Sequence, residues 1–158
     1  MESQNFLGAS RNVVGTICRI REREGEAVGI RLDDVPKVQV SPLGTSVFQN
    51  LAIYFPKPTL RNLPDETFME NKKLHKLVFQ DFPPKLQHNS LEGLNNLGTM
   101  KFWGCNMTSL PDGIFENTPS LKEFTWEEHF CQQEKPVLSN HMFKGTQLVK
   151  FTYSQEEK

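Results

Sequence analysis

One pattern constrains this chain more than any other feature: a block of six residues that recurs four times. Residues 74–79 read Leu-His-Lys-Leu-Val-Phe, 97–102 Leu-Gly-Thr-Met-Lys-Phe, 121–126 Leu-Lys-Glu-Phe-Thr-Trp and 148–153 Leu-Val-Lys-Phe-Thr-Tyr. Each carries a large apolar residue at its first, fourth and sixth place. The starts, Leu74, Leu97, Leu121 and Leu148, are spaced by 23, 24 and 27 residues. A repeat of this length is the mark of a stacked architecture, in which no single unit can bury its apolar face alone.

A second block precedes the first at a matched distance. Leu63-Pro64-Asp65-Glu66-Thr67-Phe68 aligns with Leu110-Pro111-Asp112-Gly113-Ile114-Phe115 and with Leu138-Ser139-Asn140-His141-Met142-Phe143, while Leu86 and Leu91 take the two apolar places in the remaining unit. This pairing of Leu-Pro-x-x-x-Phe with Leu-x-x-Leu-x-Phe, over residues 60–153, resembles the leucine-rich-repeat family. Two weaker units extend it upstream: Ile53 and Phe55 precede Leu77 and Phe79 by 24 residues, and Ile30 and Leu32 precede Ile53 and Phe55 by 23. In these, Ala27 and Asn50 stand where the leading Leu belongs. About six turns over 27–153 are expected, the first two divergent.

The resemblance implies an α/β fold: a right-handed leucine-rich-repeat solenoid, a short horseshoe with a parallel concave β-sheet and short helical or irregular convex segments. Pro64 and Pro111 suit the entry to the return path, with a short helix or 3-10 turn expected through Phe68 and Phe115. The sequence departs from the family at the place where an Asn or Cys usually bonds neighbouring turns. Val35, Pro58, Phe82, Cys105 and His129 stand there, so only Cys105 conforms, and packed Phe is expected instead. Twelve Phe against two Tyr and two Trp agree with a Phe-based core. About three extra residues around Gln132–Pro136 predict a bulge.

The 158 residues suffice for one domain. Residues 1–26 read as a cap: Val13–Arg21 and Ala27–Leu32 flank the charged stretch Glu22-Arg23-Glu24-Gly25-Glu26, the pattern of a β-hairpin that closes the first turn. Residues 154–158 read as a polar tail. An exposed terminal strand would offer a route to self-association.

Composition trims the function classes. Lys+Arg (18) and Asp+Glu (19) leave a net charge of -1, without the basic excess of a nucleic-acid binder. No run approaches the roughly 18 apolar residues of a membrane span. The start, Met1 to Ser10, lacks the basic region and apolar stretch of a signal peptide. The chain is thus expected in the cytoplasm if complete and outside the cell if a leader has been removed; the Asn106-Met107-Thr108 triplet is a glycan acceptor only in the second case. Gly-rich phosphate loops, G-x-S-x-G, H-E-x-x-H and C-x-x-C are all missing, so an enzyme is not expected, nor a cofactor or metal. Cys105 and His129 share a repeat position and Cys131 follows, but three ligands at most make a weak metal site, and a buried Cys105 is the expected reading. His75, His88 and His141 are expected on flanks and return loops.

The remaining surface is the sheet face turned away from the core. Alternation along each strand assigns it Arg31 and Asp33; Tyr54 and Pro56; Lys76, Val78 and Gln80; Thr99, Lys101 and Trp103; Glu123, Thr125 and Glu127; and Lys150 and Thr152. Of these, Arg31, Tyr54, Lys76, Val78, Lys101, Trp103, Glu123 and Thr125 are the expected partner-binding residues. Tyr54, Val78 and Trp103 are large apolar groups where an exposed strand is ordinarily polar. Lys76 and Lys101 on one side and Glu123 and Glu127 on the other predict a charge gradient that orients a partner. A protein is the expected ligand. The alternative is a receptor-type extracellular fragment that binds a glycan, a lipid or a microbial ligand.

Overall fold

A computed structural model describes residues 3–7, 14–22, 25–32, 49–55, 62–63, 65–83, 85–104, 109–129 and 136–156, the first three stretches as backbone. Asp33, Val35, Pro56, Pro58, Pro64, Cys105, the Asn106-Met107-Thr108 triplet, Cys131 and Gln132 lie outside the described residues.

The repeated blocks become the rungs of a single sheet. Its strands are β1 (Ser3–Leu7), β2 (Val14–Glu22), β3 (Gly25–Leu32), β4 (Asn50–Phe55), β6 (Lys76–Asp81), β8 (Thr99–Gly104), β9 (Glu123–His129) and β10 (Lys150–Glu156), adjacent in that order. From β3 to β10 every neighbour is parallel. The short strands β5 (Asn62–Leu63) and β7 (Lys85–Leu86) form a second parallel pair on the return path. A separate parallel bridge joins Ser109 to Val137, and the repeat alignment puts Leu63, Leu86, Leu110 and Leu138 at equivalent positions. The result is a parallel β-solenoid of about four turns, with almost no helix among the described residues.

The register shows why the chain stacks. Leu51, Leu77, Met100, Phe124 and Phe151 are successive partners in one inward column. Ile53, Phe79, Phe102, Trp126 and Tyr153 form the next. Rings in these columns touch from rung to rung: Phe79 stacks on Phe102 with centroids 5.5 Å apart, and Trp126 meets Phe102 edge-on at 5.8 Å. From the return path, Phe68 packs on Phe79 and Phe115 on Phe124. Phe82, at one of the places where the family pattern has Asn or Cys, is partly buried against the same cluster.

Among the described residues, the return segments are built from tight turns, not α-helices. Asn71 N–H donates to the Phe68 carbonyl and Leu74 N–H to that of Asn71. The same pair of bonds recurs at Leu94 and Leu97, and at Thr118 and Leu121. Two consecutive three-residue steps carry the chain from one buried column to the next: Phe68, Leu91 and Phe115, then Leu74, Leu97 and Leu121. An α-helix would advance too slowly to place them so, and the only helix among the described residues is a 3-10 turn over Ile114–Asn117. Phe115 sits in it, as the sequence predicted.

Backbone bonds tie coil to coil at the start of β6, β8, β9 and β10, and the Asn96 side chain adds a bond to the Lys72 carbonyl of the coil before it. The Gln49 carbonyl accepts from the N–H groups of both His75 and Lys76, that of His75 from Gly98 and Thr99, that of Gly98 from Lys122 and Glu123, and that of Lys122 from Val149 and Lys150. Each rung therefore starts in a fixed register on the one before it.

At the other end β2 and β3 pair antiparallel, with Glu22 opposite Gly25, as the hairpin reading expected. β1 adds a further antiparallel strand, with Phe6 opposite Gly15. At the end of the chain β10 runs to Glu156, so Ser154, Gln155 and Glu156 pair with Glu127, Glu128 and His129 instead of trailing as a polar tail.

Candidate interaction surface

Because side chains alternate along a strand, the register that aligns the inward columns also aligns outward rows. One row runs Asn50, Lys76, Thr99, Glu123, Lys150. The middle row runs Ala52, Val78, Lys101, Thr125, Thr152. The third begins at Arg31, whose backbone pairs with Tyr54, and continues through Gln80, Trp103, Glu127 and Ser154. Seven of the eight expected residues fall on these rows, Lys76 and Glu123 on the first, Val78, Lys101 and Thr125 on the second, Tyr54 and Trp103 on the third, while Arg31 is placed by its backbone alone.

Their exposure separates them. Tyr54 is 37% and Trp103 38% exposed, in the same row, with Gln80 on the strand between. Two strand spacings put the two about 10 Å apart. Val78 sits on the outward middle row yet is only 8% exposed, so it floors the surface and offers little area to a partner. Ala52 beside it is buried too.

The expected charge gradient is not what the side chains form. Lys101 Nζ lies 2.8 Å from Glu127 Oε2, across the β8–β9 boundary. The two opposite charges satisfy one another instead of marking opposite ends of a field. Glu127 Oε2 is also 3.7 Å from His129 Nε2, and His129 Nδ1 is 2.9 Å from Glu156 Oε2. The His129 ring meets Trp103 edge-on, with centroids 5.1 Å apart. Trp103 is therefore braced by a polar chain that crosses three strands, Lys101–Glu127–His129–Glu156. Such bracing limits the rotamer freedom that an aromatic anchor would otherwise lose on binding.

Sequence reading missed one buried acid. Glu128 continues the inward parity of Phe124 and Trp126 and is enclosed, and Tyr153 Oη donates to its Oε2 over 3.2 Å. Burial pushes its carboxyl above the ordinary range, opposed by hydrogen bonds from Tyr153 and Trp126. Burial and the neighbouring Glu128 likewise raise the Tyr153 phenol. The signal was available in the strict alternation of 124, 126 and 128. Thr67, Ser90 and Thr118 are buried as well; Ser90 Oγ bonds the Leu63 carbonyl at 2.8 Å and Thr118 Oγ1 that of Phe115 at 3.0 Å, so both serve the return turns.

Of the histidines expected on flanks, His75 holds the Lys73 carbonyl through Nδ1 at 3.2 Å. Among the described residues no group of three His, Cys, Asp or Glu side chains is placed to hold a metal ion, and no helix is long and apolar enough to cross a membrane. Comparison with protein-family models, with curated proteins and with solved structures found no match.

Proposed function

We propose that this chain is a non-catalytic recognition module of leucine-rich-repeat type that binds a protein through the outward face of its sheet. The observation that carries the reading is the half-exposed pair Tyr54 and Trp103, aligned in one row of a rigid sheet. Tyrosine and tryptophan are the side chains that most often dominate binding energy at protein interfaces. Val78 and Ala52 give the pair an apolar floor. Lys101 is paired with Glu127 and the chain has no basic excess, its net charge being -1, which favours a protein over a nucleic acid.

The finer architecture belongs to the same proposal. Parallel strands joined by crossovers are right-handed in nearly all folds, and we take the coils here to follow that hand. The sheet then lines the concave side, because strands about 4.8 Å apart stack more closely than the return segments. The two aligned blocks in each of four units support the family assignment, with tight turns in place of α-helices.

The test is affinity capture with quantified binding for wild type, Trp103→Ala, Tyr54→Ala and Val137→Ala, the last lying on the return path. A true anchor costs at least about 2 kcal/mol, or some 30-fold in Kd. The reading stands if both outward variants lose a partner that Val137→Ala retains. Equal binding by all four overturns it.

A further inference from the structure

The last coil differs from those before it in five of its inward columns, although Met142 stays buried like Ile114 before it. Leu63, Leu86 and Leu110 are buried, whereas Leu138 at the equivalent position is 41% exposed. Leu77, Met100 and Phe124 are buried, whereas Phe151 is 37% exposed. Phe143, Leu148 and Tyr153 are only partly buried where their equivalents in earlier coils are enclosed. Val149, next to β10, is 83% exposed. Among the described residues β10 pairs on one side only, with β9. An open strand edge beside a bared apolar end is a template for another strand.

We propose that the occupant is a second copy of this chain, joined edge to edge through β10 about a two-fold axis at Tyr153. The argument is the charge order of the strand, Lys-Phe-Thr-Tyr-Ser-Gln-Glu. Laid antiparallel on itself with Tyr153 at the centre, it sets Lys150 opposite Glu156, Phe151 opposite Gln155 and Thr152 opposite Ser154. Each pairing occurs twice, and opposite residues share a face. Both ion pairs therefore lie on the outward side, and the two bared ends of the core meet on the inward side. Glu156 is already held at the edge by His129. Pairing β10 with β1 of another copy gains no such match, since Ser-Gln-Asn-Phe-Leu carries no charge, and a head-to-tail contact of that kind need not close. This contact is separate from the outward-face reading and survives its failure.

Sedimentation equilibrium of the whole chain tests it, with circular dichroism to show that each variant is folded. Wild type forms a dimer that dissociates on dilution. Lys150→Glu or Glu156→Lys turns two attractions into two repulsions and raises the dimer Kd about tenfold or more. The double variant restores it to within about threefold, because the reversed charges again oppose one another. If either reversal fails to fold, Lys150→Gln and Glu156→Gln replace them, each weakening the dimer by a smaller factor. Lys73→Gln, exposed on a return turn away from β10, leaves the dimer unchanged. A monomer at every concentration, a dimer indifferent to the single changes, no rescue in the double, or an open series of larger oligomers each overturns the proposal.

Discussion

Phe102 and Trp103 are adjacent in β8 and face opposite ways, so truncating each in turn tests the alternation on which the surface assignment rests. Phe102 is enclosed, with ring neighbours Phe79, Phe124 and Trp126 at 5.5, 5.2 and 5.8 Å. Truncating a core Phe costs about 3–5 kcal/mol from lost transfer energy and the cavity left behind, and three ring contacts place this one near the upper end. Trp103 is 38% exposed, so about three-fifths of its surface is covered. Of roughly 200 Å² for a Trp side chain, about 120 Å² is then out of water, and alanine retains about a third of that. The remaining ~80 Å² at about 25 cal/mol per Å² sets a ceiling near 2 kcal/mol for Trp103→Ala. For a chain of this size each kcal/mol moves the midpoint by about 2–4 °C. Phe102→Ala should therefore melt about 8–20 °C below wild type and Trp103→Ala no more than about 8 °C below. Thermal unfolding followed by far-ultraviolet circular dichroism measures both shifts, and urea unfolding the free energies. The two residues share a strand, so any departure of a repeat stack from all-or-none unfolding acts on them alike. Equal losses, or a larger loss for Trp103→Ala, would refute the assignment of inward and outward faces.

Three further predictions follow, two from the backbone and one from the buried acid. Gly104 has φ +149°, and a Cβ there would run into the backbone of Asp81 on β6, so Gly104→Ala should cost at least about 2 kcal/mol by chemical denaturation. Asp81 itself is left-handed at φ 65°, and Asp81→Gly should be neutral or stabilising by up to about 1 kcal/mol. Folding raises the Glu128 carboxyl above its ordinary 4.5, so the fold favours its protonated form. That contribution is complete below the unfolded value and is lost as pH rises through the folded one. The stability of wild type relative to Glu128→Gln should accordingly fall as pH is raised from below 4.5 towards neutral, and parallel pH profiles for the two proteins would contradict this.

The parts of the fold legible in the sequence are those fixed by column identity. Leu77, Met100, Phe124 and Phe151 share a column because their repeat offsets match, and the register pairs them as read. The turns through Phe68 and Phe115, and the pairing of β2 with β3, were equally local in their signals. What escaped depended on neighbours far away in the chain. β1 has two apolar residues, Phe6 and Leu7, and no alternation to reveal it. The end of β10 is polar, and its strand geometry comes from backbone pairing with β9, to which composition is blind. On the candidate surface, position was legible and environment was not. Parity placed Val78 outward but said nothing of its burial, and it could not show that Lys101 reaches diagonally to Glu127.

In a stack of this kind each residue's energetic neighbours lie one repeat away, so its burial depends on rank along the stack as much as on identity. Phe124 and Phe151 are the same residue type in the same column, stacked with centroids 5.7 Å apart, yet one is enclosed and the other is 37% exposed. The difference lies in what covers the far side of each rung. Ala52 and Val78 are buried on the middle outward row, but the third outward row shows no steady rise along the stack. Tyr54 on β4 and Trp103 on β8 accordingly show nearly equal exposure although they stand two rungs apart. Stability is therefore drawn from the columns, and a substitution on one side of a strand has few direct contacts through which to reach the other. Under the proposed recognition role, that separation would let outward positions vary with the partner while the inward repeat stays constant.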